Sequence, residues 1–195
     1  MSNSLMSNSP LRMPRMLLAA LPLCAAFGAH AGDHSARIAY HNDVIQHSFT
    51  VDERSNLVAW TDSYLDGLNF DPIVAVWRDG ELLAQVDDNS SIAPGQTRFD
   101  SGLRLYGLMP GTYLFTIAAY DNFANGTTLS AGFMFDGQAP IPLAEWCQPA
   151  SYCGMGGDVS LHWTLDPVPE PQAWTLLLAG MALIGAAASR WRCTG

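Results

Sequence analysis

Phe70-Asp71-Pro72-Ile73-Val74-Ala75-Val76-Trp77-Arg78-Asp79-Gly80-Glu81-Leu82-Leu83-Ala84-Gln85-Val86 is the stretch that decides how the chain folds. Ile73 to Trp77 and Glu81 to Val86 are two short strand-forming runs on either side of Asp79-Gly80. A two-residue type I′ turn needs positive φ at both central positions, which makes Asp-Gly between such runs the strongest short hairpin cue. Closing the hairpin brings Asp71, ahead of the first strand, to the same open end as Asp87 and Asp88, which follow the second.

Outward from the hairpin the period stays near two. Ile45-Gln46-His47-Ser48-Phe49-Thr50-Val51 nearly alternates, and Asn56 to Thr61 carries Val58 and Trp60 before Asp62 closes it. Ser63 to Asn69, with Asp66-Gly67, is turn-forming and reads as a surface loop. Downstream, Leu103, Leu105 and Gly107 alternate with Arg104 and Tyr106, and Met109-Pro110-Gly111-Thr112 makes a tight turn. Tyr113 to Tyr120 is apolar on both faces, as a central strand should be. A long polar connection begins at Asp121. In Asp158 to Leu165, Val159, Leu161, Trp163 and Leu165 share one face, and Ser160, His162 and Thr164 the other. Asp33 to His41 shows little pattern. About eight short strands, with turn residues between them and no helix-period segment, predict an all-β chain folded as one jelly-roll-like β-sandwich.

Both ends of the chain read as addresses. Arg12 and Arg15 precede an apolar stretch from Met16 to Phe27, and Ala29-His30-Ala31 supplies small residues two apart, the layout of a secretory signal peptide. At the other end, Val168-Pro169-Glu170-Pro171 leads into an uncharged apolar run, 173–189, followed by Arg190 and Arg192. Its 17 residues would span about 25 Å as a helix, the thin end of a bilayer core. Basic flanks stay cytoplasmic, so the residues before Pro169 would face outward. Motif, helix and basic end together resemble the C-terminal tripartite tail of PEP-CTERM proteins. The resemblance implies processing by an exosortase-type membrane enzyme; the tail departs from the pattern where Trp191 interrupts the arginines. The expected organisation is a signal peptide (1–31), a lead-in segment (32–43), a β-sandwich ectodomain (44–167) and a sorting tail (168–195) with a transmembrane helix over 173–189.

Between the two signals lie five arginines and 17 acidic residues, and the whole chain contains no lysine. A surface so acidic repels phosphate backbones, which argues against nucleic-acid binding. Cys24 falls in the signal peptide and Cys193 in the tail, leaving Cys147 and Cys153 to pair in an oxidising exterior. The chain has no Gly-x-Ser-x-Gly elbow and no zinc-ligand spacing among its histidines, so no catalytic residue is assigned. Asp71, Asp87, Asp88 and Asp121 are loop carboxylates of the kind calcium prefers, and they make calcium the candidate cofactor, with no other assigned. Tyr64, Phe70 and Phe123 are loop aromatics that could stack on sugars.

Phe70-Asp71-Pro72-Ile73, Asp79-Gly80, Asp87-Asp88, Pro110-Gly111-Thr112-Tyr113 and Tyr120-Asp121-Asn122-Phe123-Ala124, in this order, resemble the exported β-sandwiches related to the bacterial pre-peptidase C-terminal domain. The resemblance covers residues 44–166. It implies a non-catalytic accessory, in some cases one that binds calcium or extracellular polymers. The expected function is therefore cohesion or ligand binding in the cell envelope or extracellular matrix. A calcium-dependent polysaccharide-binding protein is the alternative, and a hydrolase of surface polymer the third.

Overall fold

A computed structural model describes residues 29–148, 152–169 and 171–192, with side chains of the last segment described over 175–186. Eight strands carry the fold: β1 (His30–Arg37), β2 (Val44–Val51), β3 (Ser55–Thr61), β4 (Pro72–Arg78), β5 (Glu81–Val86), β6 (Gly102–Leu108), β7 (Gly111–Ala119) and β8 (Asp158–Pro167). They form two four-stranded sheets, ordered β1-β8-β3-β6 and β2-β7-β4-β5, with every pairing antiparallel. Apart from the β4–β5 hairpin, each strand-to-strand connection crosses from one sheet to the other, giving the eight-stranded jelly-roll order of a β-sandwich. Asp79 and Gly80 have φ of 52° and 81°, as the Asp-Gly turn requires.

The inner faces meet in a core containing Phe49, Val51, Leu57, Val74, Val76, Phe115, Ile117, Val159, Leu161 and Leu165. β7 lies between β2 and β4, and β8 between β1 and β3, so β7, apolar on both faces, takes a central place as expected. The apolar outer face of β4 is also covered. Ala75 and Trp77 pack under Phe133 from the long β7–β8 connection, and the Trp77 indole donates to Thr116 Oγ1 at 2.9 Å. The same connection protects the edge of β5, where Leu82 N donates to the Thr127 carbonyl and Leu129 N to the Gly80 carbonyl, both at 2.8 Å.

Asp100 ties the loops at one end together. Fully buried, it accepts from Ser63 N, Tyr64 N and Thr61 Oγ1 on one oxygen, and from Thr97 N and Oγ1 on the other, at 2.7–3.1 Å.

β1 corrects the expectation of an unpatterned lead-in segment over 32–43. Its eight residues pair with β8 from His30↔Leu165 to Arg37↔Asp158. The alternation is present, but Gly32, His34 and Ala36 occupy the inward positions, so hydropathy does not mark it. Packing explains the glycine, since a Cβ at Gly32 would lie 2.3 Å from the Trp163 ring. Residues 1–28 of the expected signal peptide lie outside the described residues.

The tail begins against the sandwich, with Val168 N donating to the Arg54 carbonyl at 2.7 Å. Pro169 follows; Glu170 lies outside the described residues. Helix α1 (Pro171–Arg192) then contains the whole apolar run. Leu176, Leu177, Leu178, Met181, Leu183 and Ile184 are exposed on it. Among the described residues no helix is long and apolar enough to cross a membrane, which leaves the expected transmembrane helix over 173–189 without structural support. Arg190 and Arg192 lie in the last turn, and their side chains are outside the described residues.

Candidate cation site

The β4–β5 hairpin builds the site. Asp71 precedes Pro72 at the start of β4, Asp87 and Asp88 follow Val86 at the end of β5, and the pairing Val74↔Val86 holds these ends together. One carboxylate oxygen from each acid lies within 4.8 Å of the others. Adjacent acids at a strand end would be expected to diverge and stay solvated, yet Asp87 and Asp88 both enter the group. Asp71 is buried, Asp87 half-buried and Asp88 exposed, so the trio forms a pit with Asp71 at its floor and Asp88 at its rim.

Asp121 lies beside the trio and outside it. β7 runs antiparallel to β4, with Ala119 opposite Pro72, and Tyr120 N donates to the Asp71 carbonyl at 2.9 Å. Its charge is one of those acting on Asp87.

Two features distinguish this cluster from solvated turn acids. Asp71, only 4% exposed, accepts from Gln148 Nε2 through Oδ2 at 3.1 Å, while its Oδ1 is buried without a partner, as is Asp87 Oδ1. Buried acceptors left unpaired are rare in folded proteins and call for a missing donor or ion. Next to them, the single hydroxyl hydrogen of Ser101 faces three acceptors. They are the Pro72 carbonyl at 2.6 Å, the Val86 carbonyl at 3.1 Å and the nearby Asp87 carbonyl. The neighbourhood therefore holds more oxygen lone pairs than protons to satisfy them.

Electrostatics lead to the same conclusion. Burial, reinforced by the charges of Asp87 and Asp88, pushes the Asp71 carboxyl up to about 8. Burial, with Asp88 and Asp121 adding to it, pushes Asp87 up to about 7. Asp88 is raised by burial as well, with Arg98 opposing. A hard cation would remove the repulsion, and calcium, which takes six to eight oxygens, fits a set of carboxylates next to spare carbonyls.

Gln148 connects this pit to the cysteines. Its amide oxygen accepts from Asp71 N at 3.2 Å, and its own backbone N–H donates to the Tyr152 carbonyl at 3.0 Å. Cys147 and Cys153 are disulfide-bonded, with Cα atoms 4.0 Å apart, and so close the loop that presents Gln148. The sequence gives no signal for Gln148, because its role depends on where that loop lands.

The loop aromatics are not available for stacking as a set. Tyr64 and Phe70 are fully buried and plug the end of the core, and Phe123 is half-buried. Tyr152, in the disulfide loop, is exposed instead, with its hydroxyl 3.4 Å from the Arg98 guanidinium.

No family model and no curated protein sequence matches the chain. Among solved structures, the chain is similar to the pre-peptidase C-terminal domain of a collagenase from Bacillus anthracis, with 11% identity and a TM-score of 0.37, over 69% of this chain and 88% of that one.

Proposed function

We propose that this chain is an exported, non-catalytic β-sandwich module whose loop end is organised by a divalent cation, calcium by preference, and which acts in cohesion or ligand binding in the envelope or extracellular matrix. The observation that carries the reading is the Asp71-Asp87-Asp88 pit with its unpaired buried oxygens. Titration calorimetry near pH 8 tests the site directly. Calcium should bind at about 10⁻⁴ to 10⁻³ M, the range of extracellular modules, and the Asp71→Asn/Asp87→Asn double variant should show no binding heat. Wild-type protein that gives no heat, or a double variant that binds as well, disproves the reading.

Export and sorting are the second half of the proposal. A disulfide suits an oxidising compartment, and the exposed leucines of α1 suit a segment that leaves water for a membrane or a processing enzyme. An exosortase-type enzyme acting at Val168-Pro169-Glu170-Pro171 would leave a mature protein without residues Trp174 to Gly195. Mass spectrometry of envelope protein should then find no peptides covering Arg190 to Gly195. Such peptides as the main species would mean that the tail is retained.

A further inference from the structure

Where β1 and β2 run along the same side of the sandwich, they belong to different sheets, and the side chains between them do the joining. Two inward positions there, which a sandwich core would normally fill with apolar groups, are histidines. His34 and His47 stack with ring centroids 4.1 Å apart and planes 22° from parallel. His47 also lies 5.2 Å from the Trp163 ring, which in turn contacts Phe49 and Phe115. His41 is fixed by Gln138 and the Ile141 N–H, and His162 by Asp62. Among the described residues, His34 and His47 have no such hydrogen bonds. They hold β1 to the second sheet through ring contact alone.

The surroundings make a charge on His47 costly. Burial, helped by the charge of His34, lowers the proton affinity of His47. On β1 the inward neighbours of His34 are Gly32 and Ala36, with Asp33 and Arg37 alternating outward. β2 contributes Ile45 and Phe49 on the inner face, and β7 contributes Phe115 and Tyr113, whose hydroxyl donates to the Met109 carbonyl at 2.7 Å. β8 contributes Leu161 and Trp163, with His162 turned outward to Asp62 at 3.1 Å. No carboxylate on these faces compensates a second positive charge.

We propose that His34 and His47 are an acid-operated latch on β1: neutral and stacked, they keep the strand in place, and when both are charged they repel across the β1–β2 seam, which loosens β1 and favours its peeling from the edge of β8. Release uncovers Trp163 and the hydrogen-bonding edge of β8 opposite β3, leaving an open sheet edge able to accept an extended segment. The latch lies away from the acidic pit and is independent of any cation there.

Hydrogen exchange of the exported domain, compared at about pH 7.5 and pH 5 after correction for intrinsic rates, reads the latch locally. Backbone amides of β1 should lose about tenfold or more of their protection at the lower pH, while those of β7 keep theirs. Fluorescence of Trp163 should change over the same range. His34→Gln/His47→Gln should abolish the pH dependence, and if that pair fails to fold, His34→Gln alone should at least halve the response. His162→Gln should leave it intact. Equal β1 protection at both pH values, or an acid response that survives His34→Gln/His47→Gln or disappears in His162→Gln, would overturn the proposal.

Discussion

Asp100→Ala should cost the domain about 4 kcal/mol of unfolding free energy. Its carboxylate receives five hydrogen bonds, three from backbone N–H groups and two from threonine hydroxyls, in a place sealed from water. Alanine leaves those donors buried without an acceptor. The penalty for each orphaned donor is about 1–3 kcal/mol, and relaxation keeps the total below the sum. Asp100→Asn should fall between the two, because its amide group meets donors with donors on one side. Urea unfolding of the three proteins is the measurement. A loss under about 1 kcal/mol for alanine would mean that water reaches the loop and satisfies the donors.

Without calcium, the domain should become less stable as pH rises, opposite to the usual behaviour of carboxylates. Asp71 and Asp87 have folded-state values of about 8 and about 7, above the ordinary 3.8. The folded protein therefore holds protons that the unfolded chain releases near pH 4, and this contribution is complete below that value. It is lost as pH climbs through 7 and 8. Calcium competes with those protons, so it should do little near pH 5 and much near pH 8.5. With about 10 mM calcium and a site of about 10⁻⁴ to 10⁻³ M, the gain is about 1.4–2.7 kcal/mol, or about 4–8 °C in Tm near pH 8.5. Sodium chloride of equal ionic strength should not reproduce it. Asp71→Asn/Asp87→Asn should flatten both the pH dependence and the calcium shift, whereas an equal calcium shift at the two pH values would show that these carboxyls are not the ligands.

The sequence made parts of this architecture legible for particular reasons. Asp79-Gly80 tolerates the positive φ that a type I′ turn needs at both positions, so the hairpin and the convergence of Asp71 with Asp87 and Asp88 could be read directly. The double-sided apolarity of Tyr113–Tyr120 marked a central strand, and β7 occupies one. What escaped depended on contacts between distant segments. β1 was hidden because glycine, histidine and alanine make a weak hydropathy pattern, and their fit depends on Trp163, far along the chain. His47 is a polar residue in a strand whose inward neighbours are Ile45 and Phe49, and it points inward with them to meet His34. Asp100 is one loop aspartate among several, and nothing in its local sequence marks the five donors that surround it. Asp121 could not be placed without the direction of β7, and Tyr64 and Phe70 could not be known to be plugs without the end of the core they close.

The pairing of β1 with β8 also fixes an order of events during synthesis. Among the described residues β1 is the first strand made, and β8, its one strand partner, is the last, so β1 stays unpaired until nearly the whole domain has been produced. The β4–β5 hairpin needs only a two-residue loop and can form early. The sheet containing β1 must instead wait for β8, which also supplies the partner of β3. Pairings between distant segments slow folding. A nascent chain truncated before Asp158 would lack a central strand and leave both β1 and one edge of β3 open. Such a fragment is exposed to proteases and to strand exchange with its own copies, until the final ten-residue strand closes the sheet.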